Sequence, residues 1–244
     1  MEIRGKVVLV TGGARRVGKA ISLGIGQLGA HVAIHYHGSK QGAHEALAAI
    51  EAAGSKGCVI PGDFSSLADI RRVVDTCISE LGGLDILINN AAVFFKTPVF
   101  TTHENEWDRL FALNLKAPYF CSSYAAAHMR KHGSGKIISI ADTSANNPWP
   151  DYIPYCTSKA GLIAMTKGLA KALAPEIQVN AVASGTVLMA ENATAEHTQK
   201  IAAATLLKRI GSPADIVRAI KFLVEDGDYV TGEILTVDGG RHLA

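Results

Sequence analysis

The sequence predicts a single α/β domain, in which a mostly parallel sheet of seven strands is covered by helices on both faces. Three observations predict this doubly wound fold. Short apolar segments alternate with longer segments of helical periodicity, a glycine-rich turn follows the first apolar segment, and no repeat or Pro/Gly/Ser-rich linker divides the chain. Because 48% of the 244 residues are hydrophobic, the chain can bury one large core.

Seven short segments rich in Val, Ile and Leu are predicted to be strands buried on both faces. They are residues 6–11, 31–36, 56–63, 84–91, 135–142, 177–184 and 232–240. The segments between them have the apolar spacing of helices, as in residues 16–29, 39–54 and 154–175, and such crossovers are right-handed. One domain is expected over residues 1–244, with the weakly patterned residues 186–212 as a lid over the substrate.

The composition narrows the class of protein. The net charge is +2, and no Lys/Arg cluster of the kind that binds nucleic acid or an anionic membrane is present. The four cysteines form no CxxC pair and there is no HExxH, so neither a metal site nor a disulfide framework is predicted. No apolar run has the length of a signal-peptide core or a membrane span. We therefore expect a soluble, cytoplasmic protein that binds neither nucleic acid nor a membrane.

A glycine-rich turn, TGGARRVG at residues 11–18, lies between the first predicted strand and the first predicted helix. Glycines there allow backbone N–H groups to approach a pyrophosphate, and the helix N-terminus adds a favourable dipole. Strand-to-helix turns also need glycine for purely structural reasons. The turn indicates a nucleotide-binding site because it lies inside a β-α-β unit. The sequence predicts a Rossmann-type fold with a dinucleotide at this turn.

The end of the second predicted strand indicates which dinucleotide binds. It reads HYHGSK, residues 35–40, and has no acidic residue to accept from the ribose 2′-hydroxyl of NAD. Four side chains are instead able to donate to a 2′-phosphate: Arg15, His37, Ser39 and Lys40. The alternative is an exposed basic loop without a ligand, but the missing carboxylate and Arg15 favour NADP(H). Asp63, after the third strand, either accepts from the adenine amino group or caps the next helix.

A second motif lies on the predicted helix at residues 154–175. Tyr155 and Lys159 are four residues apart and therefore share one face of that helix. A neighbouring ammonium lowers the pKa of a Tyr hydroxyl, ordinarily about 10, and makes it a usable acid or base near neutral pH. Such a pair alone is common and usually structural, but it is specific when it follows a nucleotide-binding turn.

Together these features resemble the short-chain dehydrogenase/reductase family over the whole chain. The matching elements are residues 11–18, NNAA at 89–92, Asn114, Tyr155 with Lys159, and VDGG at 237–240. The resemblance implies that Tyr155 donates a proton, and that Lys159 lowers its pKa and binds the nicotinamide ribose. It also implies that Asn89 contacts or supports the adenosine side of the cofactor. Asn114 is implied to hold a relay water through its backbone, unless it serves only a helix kink or a local polar bond.

Two departures from that family's usual pattern point to one branch of it. Arg16 stands where the family has glycine, and Asp142, thirteen residues before Tyr155, stands where it has serine. With the HYH-Ser stretch, Phe94 in NNA-x-x-Phe and the closing VDGGRHL, they resemble the pteridine and dihydromonapterin reductases. The resemblance implies a pterin stacked between Phe94 and the nicotinamide. Arg16 then reaches the cofactor phosphate and the pterin carbonyl, while Asp142 accepts from the substrate or orients Tyr155.

These inferences define a candidate site without a metal. The predicted catalytic residues are Asn114, Asp142, Tyr155 and Lys159. The predicted substrate contacts are Arg16, Phe94, Asp142, Tyr155 and Leu188. The predicted cofactor contacts are Gly12, Arg15, Arg16, Val17, Gly18, His35, Tyr36, His37, Gly38, Ser39, Asp63, Phe64, Asn89, Ala91, Tyr155, Lys159, Ser184 and Gly185. The expected activity is NADPH-dependent reduction of dihydropterins, dihydrofolate or oxidised pterins at a C=N bond, in a homotetramer.

Other interpretations stay open on the sequence. A carbonyl or 3-oxoacyl reductase of the same family is expected to have the usual serine, so Asp142 argues against it. A non-catalytic NADP(H)-binding protein has no need of an intact Tyr–Lys pair. Phe94 is alternatively a loop aromatic that covers the core, and Asp142 a solvated carboxylate at the end of a strand. Trp149 and Tyr152 line either the substrate mouth or a subunit contact.

Overall fold

The computed structural model describes all 244 residues and contains one sheet of seven strands. The strands are β1 (Val7–Val10), β2 (His31–Tyr36), β3 (Gly57–Pro61), β4 (Ile86–Asn89), β5 (Gly135–Asp142), β6 (Ile177–Ser184) and β7 (Ile234–Val237). Their order across the sheet is β3-β2-β1-β4-β5-β6-β7, and every neighbouring pair is parallel. The predicted sheet is confirmed, because each predicted segment contains one strand.

Helices cover both faces of this sheet, as predicted. They are α1 (Arg16–Gln27), α2 (Lys40–Ala52), α3 (Leu67–Leu81), α4 (Glu104–Phe111), α5 (Ala117–Lys131), α6 (Ile153–Leu173), α7 (Ala195–Ala203) and α8 (Pro213–Glu225). Helices α1, α2 and α8 bury their apolar side chains in a core on one face, and α3, α5 and α6 in a core on the other. None of the helices has both the length and the apolar character that crossing a bilayer requires.

The sheet topology determines where a ligand can bind. All carboxyl ends of the parallel strands lie along one edge, and the strand order reverses between β1 and β4. A crevice opens at such a reversal, outside the carboxyl ends of the strands. The glycine-rich turn follows β1, and Asp142 is the last residue of β5. The fold therefore brings the nucleotide turn and the predicted catalytic residues to the same edge.

The structure also contains elements that the periodicity did not predict. Helix α7 lies inside the segment 186–212, and its N-cap is Thr194, whose side chain accepts from the His197 N–H. None of the residues of α7 is buried, so the helix lacks the apolar face that periodicity detects. A π-helical turn, Ala112–Lys116, joins α4 to α5. The role of residues 186–212 as a lid stays a prediction.

Candidate active site

The glycine-rich turn packs tightly between the end of β4 and the start of α1. The Gly12 N–H donates to Nδ1 of His35 over 3.1 Å, and the Gly13 N–H donates to the His35 carbonyl over 2.9 Å. A Cβ atom at Gly12 would lie 3.0 Å from the Ala91 Cα, and one at Gly18 would lie 2.1 Å from the Gly12 carbonyl oxygen. The turn therefore has no room for side chains at these two glycines, as a close approach of backbone to ligand requires.

Asn90 holds this turn in place, although the residue predicted for that side of the site is its neighbour Asn89. The Asn90 side-chain amide donates to the carbonyls of Thr11 and Gly12 over 2.9 and 3.2 Å. The Thr11 hydroxyl oxygen accepts from the backbone N–H of Asn90 and of the following residue. The Asn89 side chain is buried and donates instead to the Ser122 hydroxyl over 2.9 Å. Asn90 is therefore the side chain of this pair that supports the turn.

The His35 side chain, which the sequence predicts as a cofactor contact, is buried beneath the glycine-rich turn and makes its hydrogen bonds within the protein. Its Nδ1 accepts from Gly12, so its proton lies on Nε2, which donates to the Gly62 carbonyl over 3.1 Å. The ring stacks on Phe64 at 3.8 Å, and both side chains are buried. Tyr36 likewise packs into the core. Burial lowers the pKa of His35 to about 4, which keeps the ring neutral.

We expect acid to destabilise the protein through His35. Its pKa is about 4 in the folded chain against an ordinary 6.5, so only the unfolded state binds a proton between these values. Stability contributed by the neutral ring is complete above about pH 6.5 and falls by about 1.4 kcal/mol per pH unit toward pH 4. Urea unfolding of the wild type and of His35→Gln between about pH 7 and pH 5 measures this slope. Equal slopes for the two proteins would contradict the assignment.

The surroundings of Arg15 suit a phosphate group. Arg15 is exposed immediately before α1, whose first turn has no acidic residue. Neither Arg15 nor Arg16 makes an ion pair. His37 and Ser39 follow the end of β2 directly and add further donors. Unpaired cations beside a helix N-terminus fit the phosphates of a dinucleotide.

Arg16 adopts a backbone conformation that normally favours glycine. Its φ is +51°, in the left-handed region, which costs an ordinary side chain about 1 kcal/mol. The Arg16 Nη2 donates to the Met189 carbonyl over 3.2 Å. The residue thus joins the nucleotide turn to the segment after β6. This explains how an arginine occupies a position where the resembling family has glycine.

Other predicted cofactor residues lie at strand ends along the same edge. Asp63 accepts from the Ser65 N–H over 2.9 Å, which lowers the pKa of its carboxyl, and Ser66 rather than Asp63 caps α3. Ser184 is the register partner of Asp142 on the neighbouring strand. Gly185 follows it, and a Cβ atom there would lie 2.7 Å from the Cβ of Asp238. The carboxyl of Asp63 therefore closes a local turn before the helix.

The three predicted catalytic side chains at the end of β5 and the start of α6 come together. The Tyr155 hydroxyl donates to Oδ2 of Asp142 over 2.9 Å. The other carboxylate oxygen of Asp142 accepts from the Ser144 N–H over 2.7 Å, so the carboxylate is held at both oxygens. Lys159 lies one helical turn beyond Tyr155 and donates to the Ile140 carbonyl over 2.8 Å. Asp142 is half-buried, which excludes the alternative of a merely solvated carboxylate.

The pKa of Tyr155 is raised in this structure, whereas the sequence predicts that Lys159 lowers it. The Lys159 Nζ lies 5.9 Å from the centre of the Tyr155 ring and is bonded elsewhere. Burial raises the pKa of Tyr155 well above its ordinary value, and the negative charge of Asp142 raises it further. Burial lowers the pKa of Lys159 to about 8. Tyr155 is therefore a protonated phenol at neutral pH, which suits a proton donor.

Asn114 lies in the π-helical turn between α4 and α5. Its side-chain amide donates to the Val93 carbonyl over 3.0 Å and to the Ser158 hydroxyl over 3.2 Å, and its side-chain oxygen accepts from the Val93 N–H. Pro118, four residues later, has no N–H to donate to the Asn114 carbonyl as an α-helix requires. A π-helical irregularity and the local polar bonds of the alternative interpretation are both present. Because the side-chain nitrogen and oxygen of Asn114 are bonded within the protein, its backbone carbonyl is the group available to a relay water.

A group of aromatic rings borders Tyr155. Phe94 is 55% exposed and stacks on Tyr152 with 4.6 Å between ring centres. Its edge meets the Tyr155 ring at 4.8 Å, and Trp149 lies 6.2 Å away. Phe94 therefore does not cover the core, and it offers a flat apolar surface beside the catalytic hydroxyl. Leu188, 39% exposed, lies in the segment that Arg16 contacts.

A nucleotide turn at the switch point of a parallel sheet, together with a buried Tyr–Lys pair, defines an oxidoreductase that uses a nicotinamide dinucleotide. The model of the enoyl-(acyl carrier protein) reductase family matches residues 12–242 of the chain. The chain belongs to the short-chain dehydrogenase/reductase family, whose members are NAD(P)-dependent oxidoreductases.

Three individual proteins illustrate the range of similarity. The 3-oxoacyl-[acyl-carrier-protein] reductase FabG of Staphylococcus aureus is 32% identical over 242 residues, covering 98% of each chain. The crystal structure of a blue fluorescent protein from a metagenomic library, in complex with NADPH, has 34% identity and a TM-score of 0.92 over 99% of each chain. FolM alternative dihydrofolate reductase 1 from Brucella canis, complexed with NADP, has 32% identity and a TM-score of 0.93, covering 100% of this chain and 96% of its own.

Proposed function

We propose that the protein is an NADPH-dependent pteridine reductase that reduces dihydropterins, dihydrofolate or oxidised pterins by hydride transfer to a C=N bond. The hydrogen bond from Tyr155 to Asp142, 2.9 Å long and bordered by the exposed Phe94, carries the proposal. A carboxylate accepts hydrogen bonds, whereas a serine hydroxyl at that position both donates and accepts. The amino and ring N–H groups of a pterin are donors that match a carboxylate. The similarity to FolM supports the same substrate class.

The aromatic surface adds a second reason for a flat heterocycle. Phe94 and Tyr152 are stacked with their planes 1° apart, and the Phe94 ring is more than half exposed. Aromatic pairs of this kind favour offset stacking with a further ring. A pterin placed on Phe94 lies within reach of the Tyr155 hydroxyl and the Asp142 carboxylate. The hydrocarbon chain of an acyl thioester makes no comparable use of this surface.

The proton in the proposed reaction comes from Tyr155. Burial and Asp142 raise the pKa of this phenol, so it carries its proton at neutral pH and gives it to the ring nitrogen directly or through a water. Lys159 lies close enough to stabilise the phenolate that forms. The Asn114 carbonyl and the Tyr155 hydroxyl together orient a relay water. NADPH, when bound, supplies the hydride.

The proposed preference for NADPH depends on Arg15. An arginine without an acidic partner matches the 2′-phosphate, and two similar structures contain NADPH or NADP. We expect Arg15→Gln to raise the Kd of NADPH about tenfold and to leave the Kd of NADH nearly unchanged, since NADH lacks that phosphate. Fluorescence titration with both nucleotides measures the two constants. If Arg15→Gln instead raises the Kd of NADPH and of NADH equally, Arg15 contacts the pyrophosphate or is needed for folding.

Substrate assays test the proposed reaction directly. NADPH oxidation is followed with dihydrobiopterin, dihydromonapterin and dihydrofolate, and with acetoacetyl thioesters as competing substrates. The second candidate function is a carbonyl or 3-oxoacyl reductase, which the 32% identity to FabG favours. Turnover of acetoacetyl thioesters but not pterins would select it. Protein that binds NADPH but reduces none of the pterins rules out the pteridine reductase.

We expect Asp142 to determine the activity with dihydropterins and to have no effect on the affinity for NADPH. Asp142→Asn keeps an oxygen for the Ser144 N–H but removes the negative charge, and Asp142→Ser restores the residue that is usual in the family. Both changes should lower kcat/KM for dihydropterins about tenfold or more, because charge-assisted hydrogen bonds are lost. The Kd of NADPH should stay the same. Without the carboxylate, which raises the pKa of Tyr155, the basic limb of the rate profile should also move to lower pH. An unchanged rate assigns Asp142 to structure.

We further propose that the protein is a homotetramer. Large apolar side chains on α4 and α5 are exposed, with Trp107 at 42% and Tyr119 at 46%. Short-chain dehydrogenase/reductases are typically oligomeric, and exposed apolar surface of this kind is buried in subunit contacts. Light scattering should therefore give four times the chain mass of 25.7 kDa.

A further inference from the structure

A cavity of about 200 Å³ lies between the segment that follows Asp142 and the last residues of the chain. Its lining includes Ser144, Asn147, Trp149, Ala204, Arg241 and His242. We infer that this cavity, here called the tail cavity, binds the carboxylate-bearing side chain of a folate-type substrate through Arg241. The inference rests on the proposed pteridine reductase function and names the substrate that this site prefers.

The tail cavity begins next to the catalytic end of β5. Thr143 and Ser144, which line it, are the next two residues after Asp142, so its wall begins within about 7 Å of that residue along the chain. The Trp149 ring lies close to both Phe94 and Arg241. Its centre is 6.2 Å from that of Phe94 and 6.0 Å from the Arg241 guanidinium carbon.

The spacing of these groups corresponds to the chemistry of a folate side chain. In folates an aryl ring separates the pterin from the carboxylates, and in the protein the Trp149 ring is near both Phe94 and Arg241, at 6.2 and 6.0 Å. A pterin on Phe94 therefore directs an aryl ring toward Trp149 and a carboxylate toward Arg241. A pterin with a short polyol side chain has neither the aryl ring nor the charge, and gains neither contact.

The charge distribution of the tail cavity favours an anion. Arg241 is half-buried and makes no ion pair, and the Thr186 hydroxyl is its hydrogen-bond partner at 3.1 Å. The other cation-forming side chain, His242, already pairs with the buried Asp238 at 2.9 Å. Arg241 is thus the uncompensated cation in the lining. A guanidinium that is free to bond in a partly enclosed space is a typical carboxylate site.

Ser144 is the second, independent observation that indicates a ligand. Its hydroxyl oxygen is the one buried side-chain polar atom in the structure without a hydrogen-bond partner. The residue is 2% exposed and lines the tail cavity. Buried polar groups are nearly always hydrogen-bonded, so an orphaned hydroxyl in a cavity indicates that a bound molecule completes it. A carboxylate accepts from a hydroxyl and from a guanidinium alike.

Binding of the side-chain fragment alone tests the tail cavity without turnover. Calorimetry measures p-aminobenzoyl-glutamate binding to the NADPH-loaded wild type, to Arg241→Gln and to Arg130→Gln. Arg130 is a matched control, since it is exposed on α5, makes no ion pair and donates only to the Ala172 carbonyl. We expect the fragment to bind the wild type and R130Q equally and R241Q about tenfold more weakly, with R241K in between. No binding to the wild type, or equal binding to R241Q, overturns the inference.

A kinetic measurement separates this inference from the proposed function. The ratio of the KM for dihydrofolate to the KM for dihydrobiopterin should rise about tenfold in R241Q. If neither pterin is reduced but the fragment binds through Arg241, the proposed reaction is wrong and the carboxylate site stands. If both are reduced with an unchanged KM ratio, the reaction stands and the tail cavity does not serve the folate side chain.

Discussion

Tyr155→Phe is expected to lower kcat for dihydropterin reduction by about 10²–10⁴-fold, because the reaction then lacks its positioned proton donor. The change removes one oxygen atom. The ring keeps its packing against Leu110 and Cys156, so folding and the Kd of NADPH should stay nearly as they are. Single-turnover oxidation of NADPH measures the chemical step apart from product release.

The control for this prediction is Tyr229→Phe. The Tyr229 side chain is fully exposed, and its hydroxyl makes no hydrogen bond within the protein, so the same atomic change there should have no effect on rate. A Tyr155→Phe protein as active as the wild type would remove Tyr155 from the mechanism. A pH-independent residual rate in this variant would show that the phenol is the group whose raised pKa limits turnover at high pH.

Gly18→Ala is the second substitution with a large expected effect. A methyl group at Gly18 would lie 2.1 Å from the Gly12 carbonyl oxygen and 2.5 Å from the Asn90 amide nitrogen. The backbone of the nucleotide turn must therefore move, and the close approach between turn and cofactor is lost. We expect the Kd of NADPH to rise at least about a hundredfold and the free energy of unfolding to fall by about 1–3 kcal/mol, as for an overpacked core.

A matched substitution makes this prediction specific to the turn. Gly168 lies in the interior of α6, is exposed, and has nothing within 4 Å of the position of an added Cβ atom. Gly168→Ala should increase the free energy of unfolding by up to about 1 kcal/mol through helix propensity and leave the Kd of NADPH unchanged. Nucleotide titration and urea unfolding of both variants give the comparison. Normal NADPH binding by Gly18→Ala would show that the turn accommodates the methyl group.

The sheet was predictable because its five central strands, β2, β1, β4, β5 and β6, are buried on both faces. Strands of a covered parallel sheet appear in the sequence as short uninterrupted apolar runs, and Val7–Val10 and Ile86–Asn89 are buried throughout. Helix α7 was not predictable from the same signal, because none of its residues is buried. The π-helical turn adds a residue inside a helical segment, which periodicity does not register. Pro118, which withholds a backbone donor there, was the signal that could have indicated it.

The candidate site was likewise predictable only in part. The spacing of Tyr155 and Lys159 placed them on one helix face, and the position of Asp142 at a strand end placed it near them. The direction of the pKa shift of Tyr155 depends on its burial and on the 2.9 Å distance to Asp142, and neither is visible in the sequence. Adjacent asparagines at 89 and 90 likewise gave no indication of which side chain turns toward the glycines. Side-chain direction at the end of a strand is settled by tertiary packing.

The left-handed backbone of Arg16 has a consequence for how this position can vary during evolution. The left-handed conformation of Arg16 lowers the free energy of unfolding by about 1 kcal/mol. Glycine would avoid this strain, but its extra conformational freedom in the unfolded chain would lower the free energy of unfolding by about 0.4–1 kcal/mol. The two effects are similar in size and opposite in sign. Folding stability therefore exerts little selection between the two residues. Glycine and arginine at this position are nearly interchangeable for the fold, so what distinguishes Arg16 is its side chain, which bonds to the Met189 carbonyl.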